Sequence, residues 1–345
     1  MAMASRAAVP SGGGAEGDHE GQGIGRMGAE TLTRSGVAGG FRHEALLYAG
    51  EQEFLDAALP FIVDGLTQDE HVLVAVSARK IDLLRDNLGW DGQWVDYLDM
   101  AELGTNPGRI ISAWRQFVFD HRSHPHLRGI GEPVWAERTP AELLECQHHE
   151  VLLNVAFAPE RPWRLLCPYD KSTLGPAVIH EARRSHPYVQ DGEIAAVSDV
   201  YPGVDHELAS VIDAELPEPA VPFQEVHFDE HTRSDVLRLV IRTAARLSTR
   251  RSDGLILAVH EITENSVRHG GGQGTMRIWA EAGDVVCEVR DAGWIREPLV
   301  GRDLPPNATR YRGGLWLAHD LCDLVQVRSS ERGTVVRMSM RSARA

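Results

Sequence analysis

The stretch His260-Glu261-Ile262-Thr263-Glu264-Asn265-Ser266-Val267-Arg268-His269-Gly270 decides how the C-terminal third of the chain is read. Its pattern predicts a helix over 253–268. On that helix Glu261 and Asn265 are one turn apart and share a face, with His269 a further turn along. Ile256, Leu257, Val259, Ile262, Ser266 and Val267 fall on the opposite face, toward a core. Gly270-Gly271-Gly272 ends the helix, because glycine accepts the left-handed conformation of a C-terminal cap. An Asn side-chain oxygen is a hard ligand suited to Mg²⁺. A carboxylate one turn earlier can take a proton from an attacking hydroxyl or orient a water. Taken alone, the same pair also fits a solvated polar stripe on a surface helix.

Two segments downstream bear on that choice. Val285-Val286-Cys287-Glu288-Val289-Arg290 reads as a strand running into Asp291-Ala292-Gly293. A carboxylate at a strand end can accept a hydrogen bond from an adenine amino group, and Gly293 lets the backbone approach the ring. Gly313-Gly314-Leu315-Trp316-Leu317 places a glycine pair at a helix start, where backbone N–H groups bind phosphate. Each is common by itself; the three in order are more specific. Around them lie an expected helix at 234–247, strands at 275–280 and 284–290, a helix at 315–322, and a closing hairpin of 324–328 with 334–340. This order implies an α+β two-layer sandwich.

The ordered set resembles the Bergerat-type ATP-binding domain shared by gyrase, histidine kinases and MutL, and more closely the anti-sigma-factor serine/threonine kinases of that superfamily. The resemblance covers about 222–342. It implies that Glu261 is the catalytic base, Asn265 the Mg²⁺ ligand and Asp291 the adenine reader. It also implies that Gly293 lies beside the base, and Gly314 and Leu315 near the phosphates. His269, Arg312, Gly313 and Thr334 complete the implied ATP-binding set, and the residues between Asp291 and Gly313 are expected to form a mobile lid. The chain departs from the pattern twice: Ile295 stands where a second glycine is usual, and Arg312 at the first glycine of the phosphate loop. Two alternatives stand beside the kinase reading. One is an ATP-dependent module that binds a sigma factor or antagonist without turnover. The other is a histidine kinase, against which His227 and His231 lack a His-Glu-x-x-x-Pro context.

Toward the N-terminus, helical spacing at 53–66, 81–88, 110–121 and 141–157 alternates with the short apolar runs His71-Val72-Leu73-Val74-Ala75-Val76 and Trp163-Arg164-Leu165-Leu166-Cys167. That alternation implies an α/β domain with a parallel sheet. Phe41-Arg42-His43-Glu44-Ala45-Leu46-Leu47-Tyr48, Arg128-Gly129-Ile130-Gly131-Glu132-Pro133-Val134-Trp135 and Leu166-Cys167-Pro168-Tyr169-Asp170 resemble the MEDS sensory domain over about 39–190. The resemblance implies a RecA/KaiC-like core without a phosphate-binding Walker loop, and an unknown ligand that biases the kinase. No Gly-x-x-x-x-Gly-Lys-Ser/Thr occurs. Cys146, His148, His149 and Glu150 are crowded in sequence, but adjacent helical residues diverge by about 100° and do not converge on one ion.

Residues 1–38 are Gly-, Ala- and Ser-rich and are expected to be a disordered tail. Residues 191–221, with Gly192, Pro202, Gly203, Pro217 and Pro219, are expected to be a linker. The net charge of −15 over 345 residues argues against nucleic acid as partner. It leaves protein and small-molecule partners, and the resemblance to anti-sigma-factor kinases implies an anti-sigma-factor antagonist or a sigma factor. No apolar run reaches the ~18 residues of a membrane span. Four scattered cysteines fit a reducing cytoplasm. Homodimerisation is implied by the resemblance alone.

Overall fold

The computed structural model describes residues 40–157, 162–192, 194–206, 208, 215–303 and 313–342. The expected disordered tail and Arg312 lie outside the described residues, as does much of the expected lid.

The first half alternates strand and helix: β1 (Phe41–Tyr48), α1 (Gly50–Thr67), β2 (His71–Val76), α2 (Ala78–Leu88), β3 (Val95–Asp99), α3 (Met100–Leu103), α4 (Ile110–Asp120), β4 (Leu127–Gly131), α5 (Pro140–Ala156), β5 (Trp163–Asp170), α6 (Pro176–Ser185), β6 (Tyr188–Asp191) and β7 (Ala195–Val197). They build a sheet in the order β3-β2-β4-β5-β1-β6-β7, parallel except for β7, which runs antiparallel to β6. Successive side chains of a strand point to opposite faces. Accordingly Ala45 and Leu47 of β1 enter one apolar layer with Trp114, Phe117 and Leu152, while Leu46 and Tyr48 enter another with Phe54, Ile62 and Leu84. Both faces are thus covered by helices, which is why the strands read as continuous apolar runs.

The second half contains β8 (Gln224–Asp229), α7 (Arg233–Ala244), α8 (Thr249–His269), β9 (Gln273–Glu281), β10 (Asp284–Asp291), α9 (Gly314–Leu321), β11 (Leu324–Ser330) and β12 (Gly333–Met340). Its sheet has the order β11-β12-β10-β9-β8 and is antiparallel throughout. Val285, Cys287 and Val289 of β10 point into a core shared with Val236, Leu255, Val259 and Ala318 from the three helices. Glu288 points the other way and is held by Arg290 at 2.7 Å and Arg337 at 2.8 Å. The expected mixture of a parallel α/β sheet and an antiparallel α+β sandwich is what the chain forms.

β1, β4 and β6 were not expected as strands, and three more carry little apolar signal. β3 alternates Val-Asp-Tyr-Leu-Asp at a sheet edge, β8 exposes most of its side chains, and β7 is three residues long within the expected linker.

Candidate nucleotide-binding site

The cavity formed against α8 has a volume of about 660 Å³, in the range of small-molecule sites. Of the residues expected there, Asn265, His269, Asp291, Gly293, Gly313, Gly314, Leu315 and Thr334 line it. Glu261 stands one turn before Asn265 on α8 and faces the start of α9. A Cβ placed on Gly314 would lie 3.0 Å from Asn265 Nδ2 and 3.0 Å from Glu261 Oε2. Glycine lets the α9 N-terminus come this close to both side chains without displacing them. The Leu315 side chain belongs to the core, at 6% exposure, so what it offers the cavity is chiefly backbone.

Asp291 is fixed from two sides. Ser266 Oγ donates to its Oδ2 at 2.6 Å, and the Gly293 N–H donates to its Oδ1 at 2.8 Å. The turn after β10 is held in turn by a relay. The Ile295 N–H donates to Ser329 Oγ at 2.7 Å, Ser329 lies 2.6 Å from Thr334 Oγ1, and Thr334 Oγ1 donates to the Gly293 carbonyl at 2.8 Å. Ser266 and Ser329 were not legible as site residues. Ser266 lies on the core-facing side of α8, as expected, but what it meets there is a carboxylate 25 residues away. Trp294, Leu299, Val300 and Trp316 supply an apolar wall that no local motif announced.

An Asn amide and a carboxylate beside a close-approaching helix start form a donor set suited to Mg²⁺ and phosphate. The cavity of about 660 Å³ beside Gly313 and Gly314 leaves room for both. The residues present therefore fit an ATP–Mg²⁺ complex, with Asn265 as the side chain that would hold the ion.

The edge of this cavity is tied to the first half of the chain. Glu145 on α5 is fully buried and pairs with Arg302 at 2.9 Å and with Arg328 at 2.9 Å. Burial pushes the Glu145 carboxyl up, but His148, Arg328 and Arg302 outweigh it and hold the carboxyl well below its usual range. Ser112 Oγ donates to the Arg302 carbonyl at 2.9 Å and accepts from Trp316 Nε1 at 3.3 Å. Asn106 Nδ2 donates to the carbonyls of His319, at 3.0 Å, and Cys322, at 3.3 Å, at the end of α9. Gly108 permits this contact, since a Cβ there would fall 2.0 Å from His319 Nδ1. Burial and Arg302 push His319 down to about 3. Arg302 directly follows Gly301, and Asp303 and Trp316 line the cavity, so α4 and α5 grip its wall.

A second cavity, of about 270 Å³, opens at the C-terminal ends of the parallel strands, between Tyr48, Ser77, Lys80, Glu132, Trp135 and Asp170. Lys80 Nζ lies 2.5 Å from Glu132 Oε1, which also accepts from Tyr48 Oη at 2.7 Å. Asp170, the last residue of β5 and part of the MEDS-resembling segment, is there with Glu132. Cys167 and Tyr169 do not line it and meet Glu150 instead.

Residues 42–187 match the family model described as MEDS, the MEthanogen/methylotroph, DcmR Sensory domain. Residues 229–340 match that of the histidine kinase-like ATPase domain. Among solved structures the chain is similar to the RsbU and RsbW domains of Rv1364c from Mycobacterium tuberculosis. That likeness has 18% identity and a TM-score of 0.28, over 36% of this chain and 34% of the other, so it spans about a third of that chain. No curated protein matches the chain. Among the described residues no helix is long and apolar enough to cross a membrane.

Proposed function

From the premise that a MEDS sensory domain is joined here to a histidine kinase-like ATPase domain, we propose that the chain is a cytoplasmic regulator that binds ATP–Mg²⁺ and phosphorylates a serine or threonine of a protein partner. The partner is an anti-sigma-factor antagonist, and the N-terminal domain gates the transfer. The observation that carries this reading is Glu261 and Asn265 on one face of α8, both against the glycine start of α9. Asp291, fixed by Ser266 and Gly293, reads the adenine amino group. Trp294 and Trp316 shield the base from water. Glu261 accepts the proton of the attacking hydroxyl as the γ-phosphoryl group passes to it and ADP departs. The ion, when bound, neutralises charge on the phosphates.

Gating is supported by the contact of Ser112 with the lining residue Trp316, and by those of Glu145 with Arg302, between the lining residues Gly301 and Asp303, and of Asn106 with the end of α9. A ligand at the Lys80–Glu132 cavity is the natural input, because ligands of parallel sheets sit at the C-terminal strand ends. We read the domain limits as 39–190 and 222–342, with 191–221 between. The parallel sheet is read as a RecA/KaiC-like core: β1 lies between β5 and β6, and the single residue Ala49 between β1 and α1 leaves no phosphate loop.

Incubating the full chain with γ-labelled ATP and purified candidate antagonists tests the reading. Label on a partner serine or threonine, lost in Glu261→Gln, is expected. ATP binding with no transfer to any candidate sinks it. A second reading, ATP-dependent binding without turnover, is favoured by Ile295, which packs against the core where the family has glycine. It predicts that Glu261→Gln regulates in cells as the wild type does.

A further inference from the structure

His43 on β1, Glu150 on α5, Cys167 on β5 and His186 at the end of α6 converge inside the MEDS domain, each at 1% exposure or less. Their ligand atoms all lie within 4.8 Å of one another. His43 Nε2 is 3.0 Å from Glu150 Oε2 and 3.3 Å from Cys167 Sγ. His186 Nε2 is 3.4 Å from the same Glu150 oxygen, and Cys167 Sγ is 3.6 Å from it. A tetrahedral zinc with bonds of about 2.0–2.3 Å separates its ligands by about 3.3–3.6 Å, so the four groups already stand close to that spacing.

The hydrogen atoms decide what these groups can offer. Asn154 Nδ2 donates to the carbonyls of Ser185, at 2.8 Å, and Glu150, at 3.3 Å, which fixes the orientation of its amide. Asn154 Oδ1 therefore faces His43 Nδ1, at 3.0 Å, and that nitrogen carries the proton. His186 Nδ1 lies 2.7 Å from the Ala182 carbonyl and must likewise donate. In both rings Nε2 is then the nitrogen aimed at Glu150 Oε2, and it is the one left to bind an ion. Among the described residues His186 Nε2 makes no hydrogen bond, with the Glu150 carboxylate 3.4 Å away. Tyr169 Oη holds the other Glu150 oxygen at 3.2 Å. Two imidazole Nε2 atoms, a carboxylate oxygen and a thiol sulfur thus face one common centre, the arrangement a cation would take. Histidine ligands anchored through their other nitrogen are the habit of metal sites.

We propose that His43, Glu150, Cys167 and His186 bind one zinc-class divalent cation, with Cys167 as thiolate. A dication with one thiolate and one carboxylate is neutral overall, which suits complete burial. Mixed nitrogen, sulfur and oxygen donors at tetrahedral spacing favour zinc over magnesium or calcium.

The test uses the full chain purified without chelator. Elemental analysis is expected to find about one zinc per chain. Replacement by Co(II) is expected to give the visible bands of a tetrahedral ion and a thiolate-to-cobalt charge-transfer band in the near ultraviolet. That band should vanish in Cys167→Ser, while His186→Gln and Asn154→Ala weaken Co(II) binding about 10- to 100-fold. A folded wild-type chain that is metal-free as purified, and develops no tetrahedral spectrum with added Co(II), overturns the proposal. So does a bound metal whose amount and spectrum ignore both Cys167→Ser and His186→Gln.

Discussion

Helices α8 and α5 carry similar polar residues to opposite ends. α8 is amphipathic: Leu255, Val259 and Ile262 enter the core, and Glu261, Asn265 and His269 follow the other side at steps of four. α5 is buried on nearly all sides, with Glu145, Cys146, His148, His149 and Glu150 all enclosed. Its polar groups diverge as adjacent helical residues must. Cys146 Sγ bonds the Pro133 carbonyl at 3.3 Å, Glu145 and His148 meet Arg302, and Glu150 turns to His43. A polar stripe facing a cavity is available to a ligand, and its loss costs binding. A polar group enclosed by protein is committed to the partners that surround it, and its loss costs stability.

That contrast can be broken by mutation. Glu145→Ala leaves Arg302 and Arg328 buried without their carboxylate. It is expected to lower unfolding free energy by about 3–5 kcal/mol, measured by denaturant titration. Asn265→Ala on α8 should change that free energy by less than about 0.5 kcal/mol yet weaken ATP about 100-fold by calorimetry, close to 2.7 kcal/mol. Equal stability losses from both would erase the distinction.

Acid sharpens it from another side. His319 packs against Asn106 and faces Arg302, Glu145 and His148. Its folded value near 3 lies below the ordinary 6.5, so the stability it contributes is complete above 6.5 and is lost as pH falls toward 3. On the order of 2 kcal/mol should go between pH 6.5 and 5, read as a steeper loss of unfolding free energy than in His319→Gln. Smaller effects are expected at the cavity itself. Gly314→Ala sets a Cβ 3.0 Å from Asn265 and Glu261. It should weaken ATP about 10-fold, near 1.4 kcal/mol. Thr334→Val removes the donor to the Gly293 carbonyl and should cost about 1 kcal/mol of stability, seen as a small fall in Tm.

How much was legible follows the same division. The positions of Glu261, Asn265, Asp291 and Gly314 on one helix face, at a strand end and at a helix start could be read because each belongs to a short segment whose helix or turn sets its direction, whereas their roles came from the resemblance. The buried strand His71–Val76 was plain from its apolar run. β3 and β8 were not, since edge strands keep polar faces. Ser266 could be placed on the inner side of α8, but nothing within a turn of it says that the inner side meets Asp291.

By itself the sequence determined the periodicities, and with them a parallel α/β half, an antiparallel α+β half and the polar stripe of α8. Those are local properties, fixed by 3.6 residues per helical turn and two per strand. Only the tertiary structure decided that Glu145 reaches Arg302 across 157 residues, and that His43 meets Cys167 across 124. Such meetings depend on which strands pair and which helix faces which sheet, and no spacing along the chain encodes that.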